Sequence, residues 1–315
     1  MADGAAYPAF NPKEIEDAVI FWPDEDSLEL INDLAKNLNR KIATNTQTNQ
    51  TLEQIAQAIF KSWFVDFEPV KAKMAVLEAG GTKEQAELAA MSAISAKDEA
   101  ALKQLQAEQP DAYAELAQTA ALFPSAMEEL ELGEIPEGWT PVRMDSLIEL
   151  AYGKALKKTG RIEGEFPVYG SGGITGTHNK PLVEGPGIIV GRKGTVGSIY
   201  WEQQNFYPID TVFYVKPKDG ISLEYVYYLL QTLGLDNMNT DAAVPGLNRN
   251  NVYRLEVPGV PAEVLKRFTA VTRKISAQIA SLTVENVSLI DLRDTVLPKL
   301  LAGDLPIANI GEATA

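Results

Sequence analysis

Four short clusters of basic and amide side chains, each close to glycine, are the residues of this chain best suited to chemistry with a polyanion. Lys154, Lys157, Lys158 and Arg161 follow Tyr152. His178, Asn179 and Lys180 end the loop "GSGGITGTHNK". Arg192 and Lys193 stand between glycines in "VGRKGTVG", and Asn248, Arg249 and Asn250 end "AVPGLNRNN". Lysine and arginine neutralise phosphates, arginine can read guanine, and asparagine can read adenine. Neighbouring glycines let backbone N–H groups approach phosphate. The competing reading is a solvated loop surface with turn glycines, and spacing alone does not separate the two.

Catalysis finds few residues to work with. The 315 residues include no cysteine and one histidine, His178. Thiol nucleophiles, disulfides and thiolate metal sites are excluded, and with them most histidine-based triads and zinc sites. The glycine-rich loops invite a nucleotide-binding reading that fails on spacing. "GSGGITG" does not follow GxGxxG, and "GRKGTVGS" is not GxxxxGK(S/T). There is no Asn-Pro-Pro-aromatic methyltransferase signature and no carboxylate–carboxylate–lysine nuclease cluster. Asp210 in "YPIDTV" reads as a structural hydrogen-bonding carboxylate. His178 reads as a polar surface or DNA-facing residue in a turn.

The net charge of −15 argues against DNA binding, but it is unevenly spread. Residues 1–136 carry 10 Lys and Arg against 24 Asp and Glu, whereas residues 141–200 carry 8 against 5. Only one domain need face a polyanion, and three of the four clusters lie in the locally positive part. No apolar run reaches the roughly 18 residues of a membrane span, and "MADGAAYPAF" has neither a basic nor an apolar leader region. The expected location is the cytoplasm, with no membrane contact.

The elements that must hold these loops contain an internal repeat. Shifted by 237 positions, residues 11–69 overlie residues 248–306 without a gap. Identities include Ile42/Ile279, Thr46/Thr283, Asn49/Asn286, Leu52/Leu289 and Pro69/Pro306. In the first copy Ile31, Leu34, Leu38, Ile42, Asn45, Asn49, Leu52, Ala56, Ile59 and Trp63 follow steps of three and four, a coiled-coil seam. The second copy has Phe268, Val271, Ile275, Ile279, Leu282, Asn286, Leu289, Arg293, Val296 and Leu300 at the same offsets. Asparagine at equivalent seam positions costs stability but fixes register and partner. The pattern predicts two helices of about 37 residues, each about 55 Å long. A domain between them makes the pairing antiparallel.

Composition divides the rest. Residues 1–69 hold a strand or loop remnant and the first long helix. Residues 70–132, rich in Ala, Glu, Gln and Lys, read as a peripheral insert of two or three surface helices broken at Gly80–Gly81 and Pro110. Residues 133–260 switch to β-branched and aromatic runs punctuated by glycine, with one clear helix in "SLEYVYYLLQTLG" and a loop leading to a final strand. Residues 261–304 are the second long helix, and 305–315 a flexible tail. The fold class is α+β: one domain of twisted β-sheet with short helices, plus two long helices in an antiparallel coiled coil.

Taken together, these stretches resemble the specificity (S) subunit of type I restriction-modification systems. "LEQIAQAIFKSWFVDFEPVKAKM" looks like the end of that family's first long helix, and "LRDTVLPKLLAGDL" like the end of the second. "LGEIPEGWTPVRMDSLIEL" looks like the start of a target recognition domain, and "VYGSGGITGTHNK" and "IIVGRKGTVGSIYW" like motifs inside it. The resemblance implies a non-catalytic subunit that recognises double-stranded DNA and positions methyltransferase (M) and restriction (R) subunits. It implies no cofactor on this chain, with S-adenosylmethionine, ATP and Mg on the partner subunits. The family pattern has two recognition domains, whereas here there are two helices and one domain. A half-size or truncated form is expected, reading one half-site, with a second copy of itself as a further partner. The alternative is an interaction module that binds methyltransferase without useful DNA recognition.

One stretch remains, "AIFKSWFVDFEP". Trp63 falls on the seam, but Phe60, Phe64 and Phe67 cannot all fit it. Some are expected to pack the helix end on the recognition domain and the remainder to form a docking surface for methyltransferase. Pro69 is expected to stop the first helix where Pro306 stops its twin.

Overall fold

A computed structural model describes residues 13, 16, 17, 22–131, 133–238 and 246–306. The remnant sequence "AYPAFNPKEIEDAVIFWP" and the tail beyond Pro306 lie almost wholly outside the described residues. A 40-residue helix α1 (Glu25–Phe64) leads to α2 (Glu68–Glu78), α3 (Lys83–Ser95), α4 (Glu99–Glu108) and α5 (Pro110–Ala121). Then come β1 (Met127–Leu130), β2 (Gly133–Pro136), β3 (Thr140–Arg143), α6 (Met144–Leu147) and β4 (Ile148–Tyr152). Next are β5 (Phe166–Gly170), β6 (Gly173–His178), β7 (Gly187–Gly191), β8 (Ile199–Glu202), β9 (Tyr207–Pro208) and β10 (Val212–Pro217). The chain continues through α7 (Leu223–Thr232), α8 (Arg249–Tyr253) and β11 (Glu256–Gly259) to a second 40-residue helix, α9 (Ala262–Leu301). It divides into two units, residues 1–52 with 278–315 and residues 53–277.

In the first unit Asp24 precedes α1, and its Oδ1 accepts from the Ser27 N–H at 2.8 Å, satisfying one of the free donors of a helix start. The contacts Asn39–Arg293 at 3.0 Å, Asn45–Asn286 at 3.0 Å and Asn49–Thr283 at 3.2 Å rise in number along α1 as they fall along α9. The pair is therefore antiparallel. Asn49 Nδ2 donates to Thr283 Oγ1 at 3.2 Å, and Asn286 Nδ2 donates to Thr46 Oγ1 at 3.3 Å. These are one contact made twice, because Thr46 and Asn49 are the repeat equivalents of Thr283 and Asn286. The repeat is thus a local pseudo-two-fold of the helix pair. Asn45 breaks it, since its twin is Leu282. Only 2% exposed, Asn45 donates to Glu285 Oε2 at 2.8 Å and to Asn286 Oδ1, so this buried amide keeps partners.

The second unit carries the sheets. A four-stranded antiparallel sheet has the order β4-β10-β7-β8. A three-stranded sheet, β6-β5-β9, has β5 and β9 parallel, and β11 pairs with β3. The core gathers on the end of α1. Phe60, Phe64 and Phe67 are 2%, 6% and 6% exposed. Phe60 and Phe64 meet Tyr225 and Phe268, and Phe67 meets Trp139 edge-on at 5.9 Å. All three are internal, which corrects their reading as a docking surface. A helix end surrounded by sheet-domain side chains buries aromatics on several faces, not along one stripe.

Two further expectations change for the same reason. Val271 was placed on the seam but is 38% exposed, while Thr272 is fully buried and donates to the Phe268 carbonyl at 3.0 Å. Here α9 packs into a domain core, so a two-helix periodicity no longer marks its buried face. Helix α1 ends at Phe64, and Pro69 does not stop it but lies in the first turn of α2. Proline suits that position because its missing N–H would have no helical partner there. The reversal falls on Phe67, left-handed at φ 54, a conformation that strains a bulky residue. Burial of its ring offsets the strain.

Residues 68–121 form four helices, more than the two or three expected. The breaks at Gly80–Gly81 and Pro110 occur, and a third falls at Ala96, left-handed at φ 53, before the N-cap Asp98. Lys73, 1% exposed, ties this region together by donating to Glu87 Oε1 and the Phe123 carbonyl, both at 2.8 Å.

Candidate nucleic-acid interface

Strand register decides which loops meet. β4 pairs with β10 so that Tyr152 lies opposite Phe213, and β10 pairs with β7 so that Val212 lies opposite Gly191. The chain leaving β7 at Arg192 therefore emerges two strands away from Tyr152, with Phe213 on the strand between them. Gly191 permits that exit. A β-carbon there would stand 2.1 Å from the Thr195 carbonyl oxygen and 2.3 Å from Ser198 Oγ. Gly153 lets β4 end against the β9–β10 connection, since a β-carbon there would be 2.1 Å from the Ile209 carbonyl oxygen. The Arg192 N–H donates to the Thr211 carbonyl at 2.9 Å, and the Arg192 carbonyl accepts from the Leu247 N–H at 2.8 Å. That second bond brings the start of α8 to the same place.

The result is a basic cluster on an aromatic base. The guanidinium carbon of Arg192 lies 5.0 Å from the Tyr152 ring centre and 5.8 Å from that of Phe213. The guanidinium carbon of Arg249 lies 4.8 Å from the Tyr152 ring centre. Each such contact contributes on the order of 0.5–1 kcal/mol at an exposed site. Lys193, Asn248 and Asn250 join them around a cleft of about 390 Å³. Asn248 caps α8 by accepting from the Asn250 N–H at 2.9 Å; the expected loop here is a short helix. Among the described residues neither Arg192 nor Arg249 pairs with a carboxylate, whereas Arg143, Arg267, Arg273 and Arg293 all do.

The other two clusters also meet, but differently. Arg161 Nη1 donates to the Thr175 carbonyl at 2.6 Å, and the Ile162 N–H donates to His178 Nδ1 at 3.2 Å. His178 is 9% exposed and stands edge-on to Tyr207 at 5.6 Å. This corrects its reading as a DNA-facing residue: the imidazole joins a loop to β6 as an internal acceptor. Arg161, half-buried, is likewise engaged with the fold. Lys154, Lys157, Lys158, Asn179 and Lys180 are exposed. Replacing His178 with Leu is expected to destabilise the fold by about 1 kcal/mol, the usual net worth of one hydrogen bond. DNA affinity should stay within about threefold, as a gel shift beside a urea melt would record. Asp210 is exposed in the turn before β10 and is not the strand-embedded carboxylate its context suggested.

Tyr152 carried no signal in the sequence. It marked where a basic cluster began, and only the β4–β10 register shows that it underlies two others.

Comparison with known proteins now decides the family. The model for the type I restriction modification DNA specificity domain matches residues 136–280, a span that holds all twelve candidate DNA contacts. The type I restriction enzyme HindI specificity subunit of Haemophilus influenzae is 34% identical, over 95% of this chain and 72% of that one. The chain belongs to the type I restriction enzyme specificity subunits. The EcoprrI specificity subunit of Escherichia coli is 24% identical over 35% of this chain and 30% of its own length. The solved type I restriction-modification S subunit from M. genitalium shares the fold, with a TM-score of 0.54 at 17% identity over 95% of this chain and 67% of that chain.

For a specificity subunit the expected chemistry is recognition. Among the described residues, no group of three or more His, Cys, Asp or Glu side chains is placed to hold a metal ion. No helix among them is long and apolar enough to cross a membrane. The aromatic-backed cleft, between loops that leave the sheet, holds two arginines on one ring with no carboxylate partner among the described residues.

Proposed function

We propose that this specificity subunit reads one half-site of double-stranded DNA through the cleft at Tyr152, Arg192 and Arg249, and so positions a methyltransferase subunit on its target base. The carrying observation is the pair of guanidinium groups held on one ring with no carboxylate partner among the described residues. Exposed lysines at positions 154, 157, 158, 180 and 193 supply phosphate contacts, which hold the register without reading sequence. Catalysis, with S-adenosylmethionine, and with ATP and Mg for restriction, belongs in this reading to the partner M and R subunits. Two copies of the chain, each reading one half-site, would give a symmetric target.

Methylation-site sequencing of DNA from cells holding this chain and its methyltransferase tests the reading. One defined motif, lost when the chain is deleted, supports it; unchanged methylation overturns it. Size measurement with methyltransferase present reports whether two copies assemble.

A second reading, a module that captures methyltransferase without useful DNA recognition, draws on Val284 and Val287, apolar side chains 67% and 56% exposed on α9. Retention of methyltransferase in a pull-down with no shift of any duplex would favour it.

A further inference from the structure

The geometry points to Tyr152 as a positioning residue that holds Arg192 and Arg249 as readers of a guanine edge, so that the half-site contains a G·C pair read in the major groove. This rests on the DNA-recognition reading and adds the chemistry of what is read.

Both guanidinium groups lie within 5.0 Å of one ring. A cation–π contact uses the face of a guanidinium and leaves its in-plane N–H donors unspent. Among the described residues no acceptor takes up those donors in either arginine, unlike Arg161 and Arg293, whose side chains donate to protein oxygens. The supports are rigid. Arg192 is fixed through both its N–H and its carbonyl, and Arg249 sits in a capped helical turn. Tyr152 itself ends a paired strand and rests on Phe213, which is 1% exposed, at 5.1 Å between ring centres.

Rigid support is what separates base reading from phosphate neutralisation. A phosphate accepts a mobile point charge as well as a guanidinium fork, and this domain places lysines on exposed loops for that task. A planar fork held in one orientation matches the paired acceptors O6 and N7 of guanine. Adenine presents a donor where guanine presents O6, so it repels half of the fork.

The test uses the full chain with its methyltransferase and duplexes selected from a random pool. At one position a G·C pair should be enriched, and replacing that guanine with 7-deazaguanine, which lacks the N7 acceptor, should weaken binding about tenfold or more. Inosine, altered only in the minor groove, should bind within about twofold. Tyr152→Ala should lose the preference for guanine at that position, seen as a fall of about tenfold in the ratio of cognate to random affinity. Tyr152→Phe should restore the preference, because the ring and not the hydroxyl does the positioning. A selected half-site without guanine, or one indifferent to 7-deazaguanine, overturns the inference and leaves DNA recognition standing. Failure to select any sequence overturns both.

Discussion

Alanine at Arg192 and Lys193 together should weaken binding of the cognate duplex by about 10- to 100-fold, the cost of losing one bidentate base contact and one phosphate contact. The two side chains are adjacent but have different tasks. Arg192 is fixed over Tyr152 and Phe213, whereas Lys193 is exposed on the same turn. Removing Lys193 should lower the slope of log affinity against log salt by about 0.9. Removing Arg192 should leave that slope nearly unchanged and reduce the ratio of cognate to random affinity. Lys157→Ala with Lys158→Ala is the contrast: affinity for both duplexes should fall together, with a shallower slope and an unaltered ratio. A gel-shift series across salt concentrations measures all three. Loss of the same size on cognate and random duplex for the Arg192 variant would show that the cleft serves phosphate only.

Phe60→Ala should destabilise the fold by about 3–5 kcal/mol, the usual cost of emptying a buried phenylalanine site. Its ring touches Phe64, Tyr225, Tyr228 and Phe268, so truncation leaves a cavity among large, stiff neighbours that relax poorly. Val65, just beyond the end of α1 and 42% exposed, should tolerate alanine within about 0.5 kcal/mol. Urea denaturation of the two variants beside the parent chain gives the comparison. An unchanged midpoint for Phe60→Ala would return this residue to the surface and reopen a docking role for the aromatic stretch.

These two regions also show where sequence reasoning held and where it stopped. The helices were legible because a seam of period three and four is written in consecutive residues. The repeat was legible because equivalent positions preserve contacts as well as types, as Thr46 and Asn49 do with Thr283 and Asn286. Periodicity failed at Val271 and Thr272, and at Phe60, Phe64 and Phe67. In each case a helix leaves its single partner and enters a core with neighbours on several sides. Aromatic surface that looked excessive for one seam was the right amount for a domain core.

The basic clusters were legible as types and not as a site. Composition marked Arg192, Lys193, Asn248, Arg249 and Asn250 because they are basic and amide side chains close to glycine in loop-like stretches. It marked His178 for the same reason and wrongly. A polar residue at the end of a strand looks alike whether it faces solvent or accepts a backbone N–H. Burial and the Ile162 bond depend on a loop 16 residues away in sequence.

By itself, then, the sequence determined the α+β class, the two long helices with their antiparallel repeat, the lack of thiol chemistry, and the loops that carry positive charge. All of these are local properties or comparisons of one segment with another. Tertiary structure alone decided which loops share a surface. Tyr152, Arg192 and Arg249 are far apart along the chain, and they meet because β4, β10 and β7 pair in one register and the start of α8 is tied to Arg192. Shifting that register by one residue would turn Tyr152 to the opposite face of the sheet, and the two arginines would lose the ring that holds them.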